Sequence, residues 1–195
     1  MGELILVTGA ARSGKSSFAE KLAAGLGSQV AYIATAQAFD LEMEERIKLH
    51  RSRRPANWLT IEEPVALPET LVRYGDSSRV ILLDCVTLWL SNLLLREIGT
   101  EGEPAEGWQG RILARVQELA EAASSGLATV ICVSNEVGWG IVPEDKLGRL
   151  YRDLAGKANQ VLAGHAGRVY LVVAGYPLEI KSAGSRILAE LEEKC

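Results

Sequence analysis

The stretch "TGAARSGKSS" (8–17) places Gly9, Gly14, Lys15 and Ser16 at the spacing G-x-x-x-x-G-K-S, directly behind the apolar run "ELILV". That pattern suits a loop that holds phosphates. Glycines let a backbone wrap until its N–H groups converge on phosphate oxygens, and the N-terminus of a following helix adds positive potential. Ala10, Ala11, Arg12 and Ser13 complete the loop. Lys15 is placed to reach the β- and γ-phosphates, and the Ser16 hydroxyl to hold Mg²⁺. Such a loop also needs a carboxylate to orient the metal's water shell, usually at the end of an apolar strand. "VILLD" ends in Asp84, which fits that role; capping of the next helix is the other use open to it.

A second pattern surrounds His50. "RIKLHRSRR" (46–54) carries five basic residues. On a helix, Arg46, His50 and either Arg53 or Arg54 share one face. A charge run of this kind is ordinarily a solvated face. The chemical alternative is that neutral imidazole attacks phosphorus, while neighbouring cations grip a polyphosphate and offset charge developing in transfer. Those cations also lower the imidazole pKa and keep the ring neutral near pH 7. His165, in "LAGHAG", has no such surroundings and reads as structural.

These groups need a scaffold. Residues 3–8 read as a buried strand, and "KSSFAEKLAAGLG" as a helix that stops at Gly27. "QVAYIAT" (29–35) is a second strand, and 40–55 a polar helix with Asp40 as N-cap and Pro55 as its stop. "WLTIEE" is a short strand, "LPETLVRYG" a short helix, and "SRVILLDCVTLWLSNLLL" a buried strand running into an apolar helix. The Gly-rich stretch 99–110 is expected to be flexible, with an amphipathic helix over 111–126. "LATVICVSNEVG" is a further strand and loop, followed by a long helix over 144–167. "RVYLVVAGYPLEI" is the last strand or strand pair, and 184–194 a terminal helix. Val-, Ile- and Leu-rich strands alternating with helices imply an α/β fold of three layers, with a mostly parallel sheet covered on both faces. No internal repeat or linker divides residues 1–195, which are expected to form a single domain.

Composition narrows the function. A net charge of −4 argues against a general nucleic-acid coat, because that work needs a basic face. No apolar run approaches the ~20 residues that span a bilayer, and the N-terminus lacks the basic region of a signal peptide. Cys85, Cys132 and Cys195 have no metal-like spacing and are expected to be free thiols in a reducing cytoplasm.

The blocks "GAARSGKS", "YIATA", "RIKLHRSRRPANWLTIEE", "LLDCVTLWLSNLL", "VSNEVGWGIVP", "LGRLYRDLAGKANQ" and "VYLVVAGYPLEIK" occur in that order. In them the chain resembles the bifunctional adenosylcobinamide kinase / adenosylcobinamide-phosphate guanylyltransferase family of cobalamin synthesis. One departure is Ala10, where the family often has glycine. The resemblance implies a P-loop NTPase fold of RecA-like architecture and two reactions. The first phosphorylates adenosylcobinamide with ATP or GTP; the second moves GMP from GTP onto that phosphate, giving adenosylcobinamide-GDP. It implies that His50 takes the guanylyl group, and that nucleotide contacts fall at 9–16, Ala34, Thr35, Ala36, Arg51, Ser52, Arg53, Arg54, Glu62 (with Glu63 beside it) and Asp84. It also implies a homotrimer and small-molecule substrates; association with membrane enzymes of the pathway is not readable from the sequence. Because the two reactions attack different phosphorus atoms, 36–56 is expected to move between them.

Several uses stay open at this point. Asn135 and Glu136 contact substrate or metal water, or else cap their loop; Trp89 and Trp139 are core or trimer packing, or corrin platforms. The whole chain is alternatively a small-molecule kinase without guanylyl transfer, or a RecA-type nucleotide-dependent assembly module.

Overall fold

The computed structural model describes residues 2–37, 55–76, 78–98 and 103–192. The expected helix over 40–55 lies outside the described residues, as does the start of the 99–110 stretch. The strands are β1 (Leu4–Thr8), β2 (Val30–Ala34), β3 (Leu59–Glu62), β4 (Val80–Asp84), β5 (Thr129–Val133), β6 (Arg168–Val173) and β7 (Tyr176–Glu179). The helices are α1 (Lys15–Leu26), α2 (Leu67–Gly75), α3 (Val86–Glu97), α4 (Trp108–Ser125), α5 (Lys146–His165) and α6 (Lys181–Glu192). The strands form one seven-stranded sheet in the order β3-β2-β4-β5-β1-β6-β7. Every pairing is parallel except β6 with β7. Among the described residues no helix is long and apolar enough to cross a membrane.

Alternation along each strand builds two cores. Leu4 and Leu6 of β1, Ile33 of β2, and Ile81 and Leu83 of β4 point to one face, where Trp89 and Leu90 of α3, Val116 and Leu119 of α4, and Leu154 and Ala158 of α5 cover them. Ile5, Val7, Tyr32, Leu82 and Ile131 point to the other, against Ala19 and Ala23 of α1. Both faces being covered, the strands carry few polar residues, as parallel sheets require. Trp89 is fully buried, and its indole N–H donates to the Val65 carbonyl at 2.8 Å. It is core, and no platform for a ligand.

Element boundaries depart from expectation at two places, and the last stretch takes the strand-pair form of the two expected for it. Residues 103–107 fold back on α3 instead of hanging free. Ile98 bridges Pro104, the Ala105 N–H donates to the Glu97 carbonyl, and α4 opens at Trp108 behind a left-handed Gly107 rather than at Arg111. The last strand is a hairpin, turning through Ala174 (φ 50°) and Gly175 (φ 87°). Helix α6 starts at Lys181, because Glu179 accepts hydrogen bonds from the Lys181 and Ser182 N–H groups and satisfies donors the helix leaves open.

A polar clamp joins β1, β5 and α5 at the carboxyl edge of the sheet. The Thr8 hydroxyl donates to Glu136 Oε1 at 2.5 Å, and Asn159 Nδ2 donates to the same oxygen at 3.1 Å. Ser134 Oγ donates to Asn159 Oδ1 at 2.6 Å, and the Glu136 N–H donates to the Gly9 carbonyl at 3.1 Å. Glu136 therefore braces its loop, which is the capping use its position allowed.

Two stability predictions follow from these contacts. Trp89→Ala leaves a large cavity and an unpaired Val65 carbonyl, and lowers unfolding stability by about 3–5 kcal/mol in urea titration. Glu136→Ala strands the Thr8 hydroxyl and the Asn159 amide and lowers it by about 1–3 kcal/mol; a loss below a few tenths would show that the clamp is slack.

Candidate nucleotide and phosphoryl-transfer site

The loop between β1 and α1 is shaped by backbone conformations that side chains resist. Gly14 has φ +94°, and a Cβ there would lie 3.0 Å from the Gly175 Cα in the β6–β7 turn. At Gly9 (φ +154°) a Cβ would meet the Val172 carbonyl at 2.5 Å. The Gly175 N–H donates to the Ser13 carbonyl at 2.8 Å, so the hairpin turn supports the loop from outside. Inside it, the Ser13 N–H donates to the Ala10 carbonyl at 3.2 Å. Gly14 N-caps α1 without a side-chain hydrogen bond, which leaves first-turn N–H groups for an anion. Ser13 Oγ is buried and has no hydrogen-bond partner among the described residues. The region thus holds donors in want of an acceptor, as a phosphate site should.

Lys15 is buried, and its Nζ donates to the Ala10 carbonyl at 3.1 Å. Burial holds its pKa below the ordinary lysine value, with Cys85 and Asp84 acting in the opposite sense. A buried ammonium turned onto its own loop is poised to exchange that carbonyl for phosphate oxygens. Ser16 is half-buried one residue on, in the first turn of α1.

Asp84 ends β4, two strands away from β1. The N-cap of α3 is Cys85, with no side-chain hydrogen bond, so Asp84 does not cap that helix. Its carboxylate accepts from the Tyr32 hydroxyl at 3.0 Å. Burial pushes the adjacent Cys85 thiol up to about 11, so it stays neutral near pH 7 and is no competing nucleophile. Ala34 lies in register with Asp84 on one side and Glu62 on the other, which brings three predicted positions level at the carboxyl edge. Ligands bind at that edge in open α/β sheets.

The remaining predicted residues divide. Thr35 is fully buried, and its hydroxyl donates to the Cys85 carbonyl (2.8 Å) and accepts from the Cys85 N–H (2.9 Å). It ties the end of β2 to that of β4, while Ala36 is half-buried beside it. Glu63 Oε1 accepts from the Val65 and Ala66 N–H groups at the start of α2 and is a cap, leaving Glu62 as the exposed carboxylate of the pair. His165 contacts Gln117 and the Val161 carbonyl, in keeping with a structural part. His50, Arg51, Ser52, Arg53 and Arg54 lie outside the described residues, as does most of the 36–56 segment.

Sequence reasoning passed over Tyr32, Thr8 and Asn159, which hold Asp84 and the root of the loop. Asn159 left a trace, being a polar residue on the apolar stripe of α5 between Ala155 and Leu162. Tyr32 left none, because an aromatic residue in a buried strand is ordinary core.

Comparison with known proteins places this geometry. Residues 5–180 match the family described as cobinamide kinase / cobinamide phosphate guanyltransferase. The chain is 47% identical over 176 residues to the bifunctional adenosylcobalamin biosynthesis protein CobP of Pseudomonas aeruginosa, covering 90% of this chain and 96% of that one. It is 46% identical over 182 residues to the corresponding CobU protein of Escherichia coli, covering 91% and 99%. Among solved structures, an ATPase from the type III secretion system of pathogenic bacteria superposes with a TM-score of 0.53 at 13% identity, covering 88% of this chain and 52% of that one. That likeness concerns the fold, and it agrees with the α/β P-loop architecture seen here. With the family's match running through nearly the whole sheet and through the phosphate loop and Asp84, the chain belongs to the cobinamide kinase / cobinamide phosphate guanyltransferase family.

Proposed function

We propose that the protein phosphorylates the hydroxyl of the aminopropanol arm of adenosylcobinamide with ATP or GTP, and then transfers GMP from GTP onto that phosphate through His50. The observation that carries the reading is a phosphate loop and a metal-type carboxylate at one sheet edge, in a member of this family. Residues 9–16 cradle the triphosphate, and Lys15 draws charge from the β- and γ-phosphates. Ala34, Thr35, Ala36 and Glu62 border the nucleotide; the Thr35 hydroxyl is engaged with Cys85, its N–H with the Asp84 carbonyl and its carbonyl with Asn92. Arg51, Ser52, Arg53 and Arg54 hold phosphates beside His50.

Mg²⁺ suits the donors present. Ser16 and Asp84 offer a hydroxyl and a carboxylate, and no group of three or more His, Cys, Asp or Glu side chains among the described residues makes a closed metal cage. A hard cation held by one or two protein oxygens plus phosphates fits such a set. When bound, it offsets charge developing on the transferred phosphoryl group.

In the first reaction the acceptor oxygen bonds to the γ-phosphorus and the nucleoside diphosphate leaves. In the second, the His50 imidazole bonds to the α-phosphorus of GTP and pyrophosphate leaves; the cobinamide phosphate oxygen then displaces the histidine. Because the two steps attack different phosphorus atoms, the triphosphate and His50 have to be differently placed in each. Exposed Trp139, Ile141 and Val142 on one loop, and Val173, Tyr176 and Leu178 on the hairpin, support self-association; a trimer is what the family resemblance implies. Residence in the cytoplasm goes with this reading.

The test is incubation with Mg²⁺ and GTP labelled on the α-phosphate, with the adduct mapped by mass spectrometry. Acid-labile GMP on His50 is expected, and His50→Ala should lose the adduct while phosphorylating cobinamide at a rate within about threefold of the unaltered protein. GTP binding without any adduct would reduce the protein to a small-molecule kinase.

A further inference from the structure

Polar groups along the carboxyl edge are largely accounted for: Thr35 by Cys85, Asp84 by Tyr32, Glu136 by Thr8 and Asn159. Asn135 is not. It follows β5, the strand inserted between β1 and β4, in which Val133 is level with Val7 on one side and Asp84 on the other. The residues just past Val133 therefore stand between the root of the phosphate loop and the Asp84 carboxylate. Asn135 is fastened there at two points. Its backbone carbonyl accepts from Asn159 Nδ2 at 3.1 Å, and its own Nδ2 donates to Thr87 Oγ1 at 3.0 Å. Thr87 is itself held, with its hydroxyl 3.1 Å from Cys85 Sγ and its carbonyl accepting from the Tyr151 hydroxyl at 2.8 Å. Asn135 Oδ1 is enclosed and has no hydrogen-bond partner among the described residues.

A buried carbonyl without a donor is costly, and an amide pinned by its nitrogen cannot swing to find one. Phosphate oxygens cannot satisfy it, because they are acceptors too. It calls for a hydrogen-bond donor brought in from outside, and the O–H of an acceptor alcohol is one. We infer that Asn135 Oδ1 accepts the hydrogen bond of the alcohol that attacks the γ-phosphate, and so aims the acceptor in the kinase half of the reaction. This rests on the function proposed above and adds the residue that orients its acceptor.

The chemistry is consistent with an amide. In a loose transition state the alcohol needs alignment more than deprotonation. Its oxygen bonds to the γ-phosphorus as the bridging P–O bond breaks, and the electron pair leaves on the nucleoside diphosphate. The amide takes no proton; the alcohol's proton passes to a phosphoryl oxygen late in the step. Guanylylation of His50 involves no alcohol, so it should not need Asn135 Oδ1.

The test compares Asn135→Leu and Asn135→Ala with the unaltered full chain in three assays: cobinamide phosphorylation, affinity for a non-hydrolysable GTP analogue, and His50 labelling from α-labelled GTP. Phosphorylation kcat/KM for cobinamide should fall roughly 10–100-fold in both variants, while GTP-analogue affinity and His50 labelling stay within about twofold. Intact labelling also shows that the variants fold. Unchanged phosphorylation would overturn the inference and leave Asn135 as a brace. Weakened analogue binding would overturn it by showing an amide turned over, with its N–H groups on a phosphate. A shifted Mg²⁺ requirement would overturn it in favour of a metal-held water as the donor. Failure of the unaltered protein to phosphorylate cobinamide would sink the functional reading itself, before any variant is compared.

Discussion

A phosphate loop cannot satisfy its own backbone. Its N–H groups have to face a ligand, so the strand and helix that flank it must hold an arrangement that intraloop hydrogen bonds alone would not keep. Here the restraint comes from three directions. The β6–β7 turn presses Gly175 against Gly14 and donates to Ser13. Glu136 grips the Gly9 carbonyl through its backbone and Thr8 through its carboxylate. Asn159 carries that grip into α5 and thus into the larger core. These neighbours hold the loop in place, and the unpartnered Ser13 hydroxyl is part of what a triphosphate would complete.

Parallel pairing does the rest of the positioning. With β5 between β1 and β4, the loop root and Asp84 are separated by one strand's width and joined by the residues that leave that strand. Strands in a sheet lie roughly 5 Å apart. Two strand spacings therefore put roughly 10 Å between the loop root and the end of β4. The same register lines Ala34 and Glu62 beside Asp84. One edge of the sheet thus carries the Lys15 ammonium, the Asp84 carboxylate and the Asn135 amide. In the function proposed above, the reaction at the γ-phosphorus uses this edge, and the reaction at the α-phosphorus uses His50.

Much of this was legible in the residues. Alternating apolar positions in "LILVT" and "VILLD" marked the buried strands, and the Gly-x4-Gly-Lys-Ser spacing marked the loop, because both patterns are local. What stayed hidden depends on partners far apart in the chain. Thr35 was legible as a possible ligand contact, but not that its hydroxyl laces Cys85, which lies 50 residues on. Glu63 and Glu179 cap helices from positions at strand ends, where no capping pattern announces them. The hairpin at Ala174–Gly175 read as one strand or two, since its brace on the phosphate loop is a tertiary contact. Asn135 was one of three polar residues after a strand; only the paired fates of its nitrogen and oxygen separate it from Glu136.

Both proposed reactions depend on the phosphate loop being the nucleotide site. The direct measurement is the dissociation constant of a non-hydrolysable GTP analogue with Mg²⁺ for the unaltered protein and for Lys15→Ala, by calorimetry. Loss of the buried ammonium should weaken binding about 100-fold or more, as removal of a buried, charge-assisted contact does, with the melting temperature of the free protein held or raised. Equal affinity in the two proteins would contradict the account and move the nucleotide away from residues 9–16.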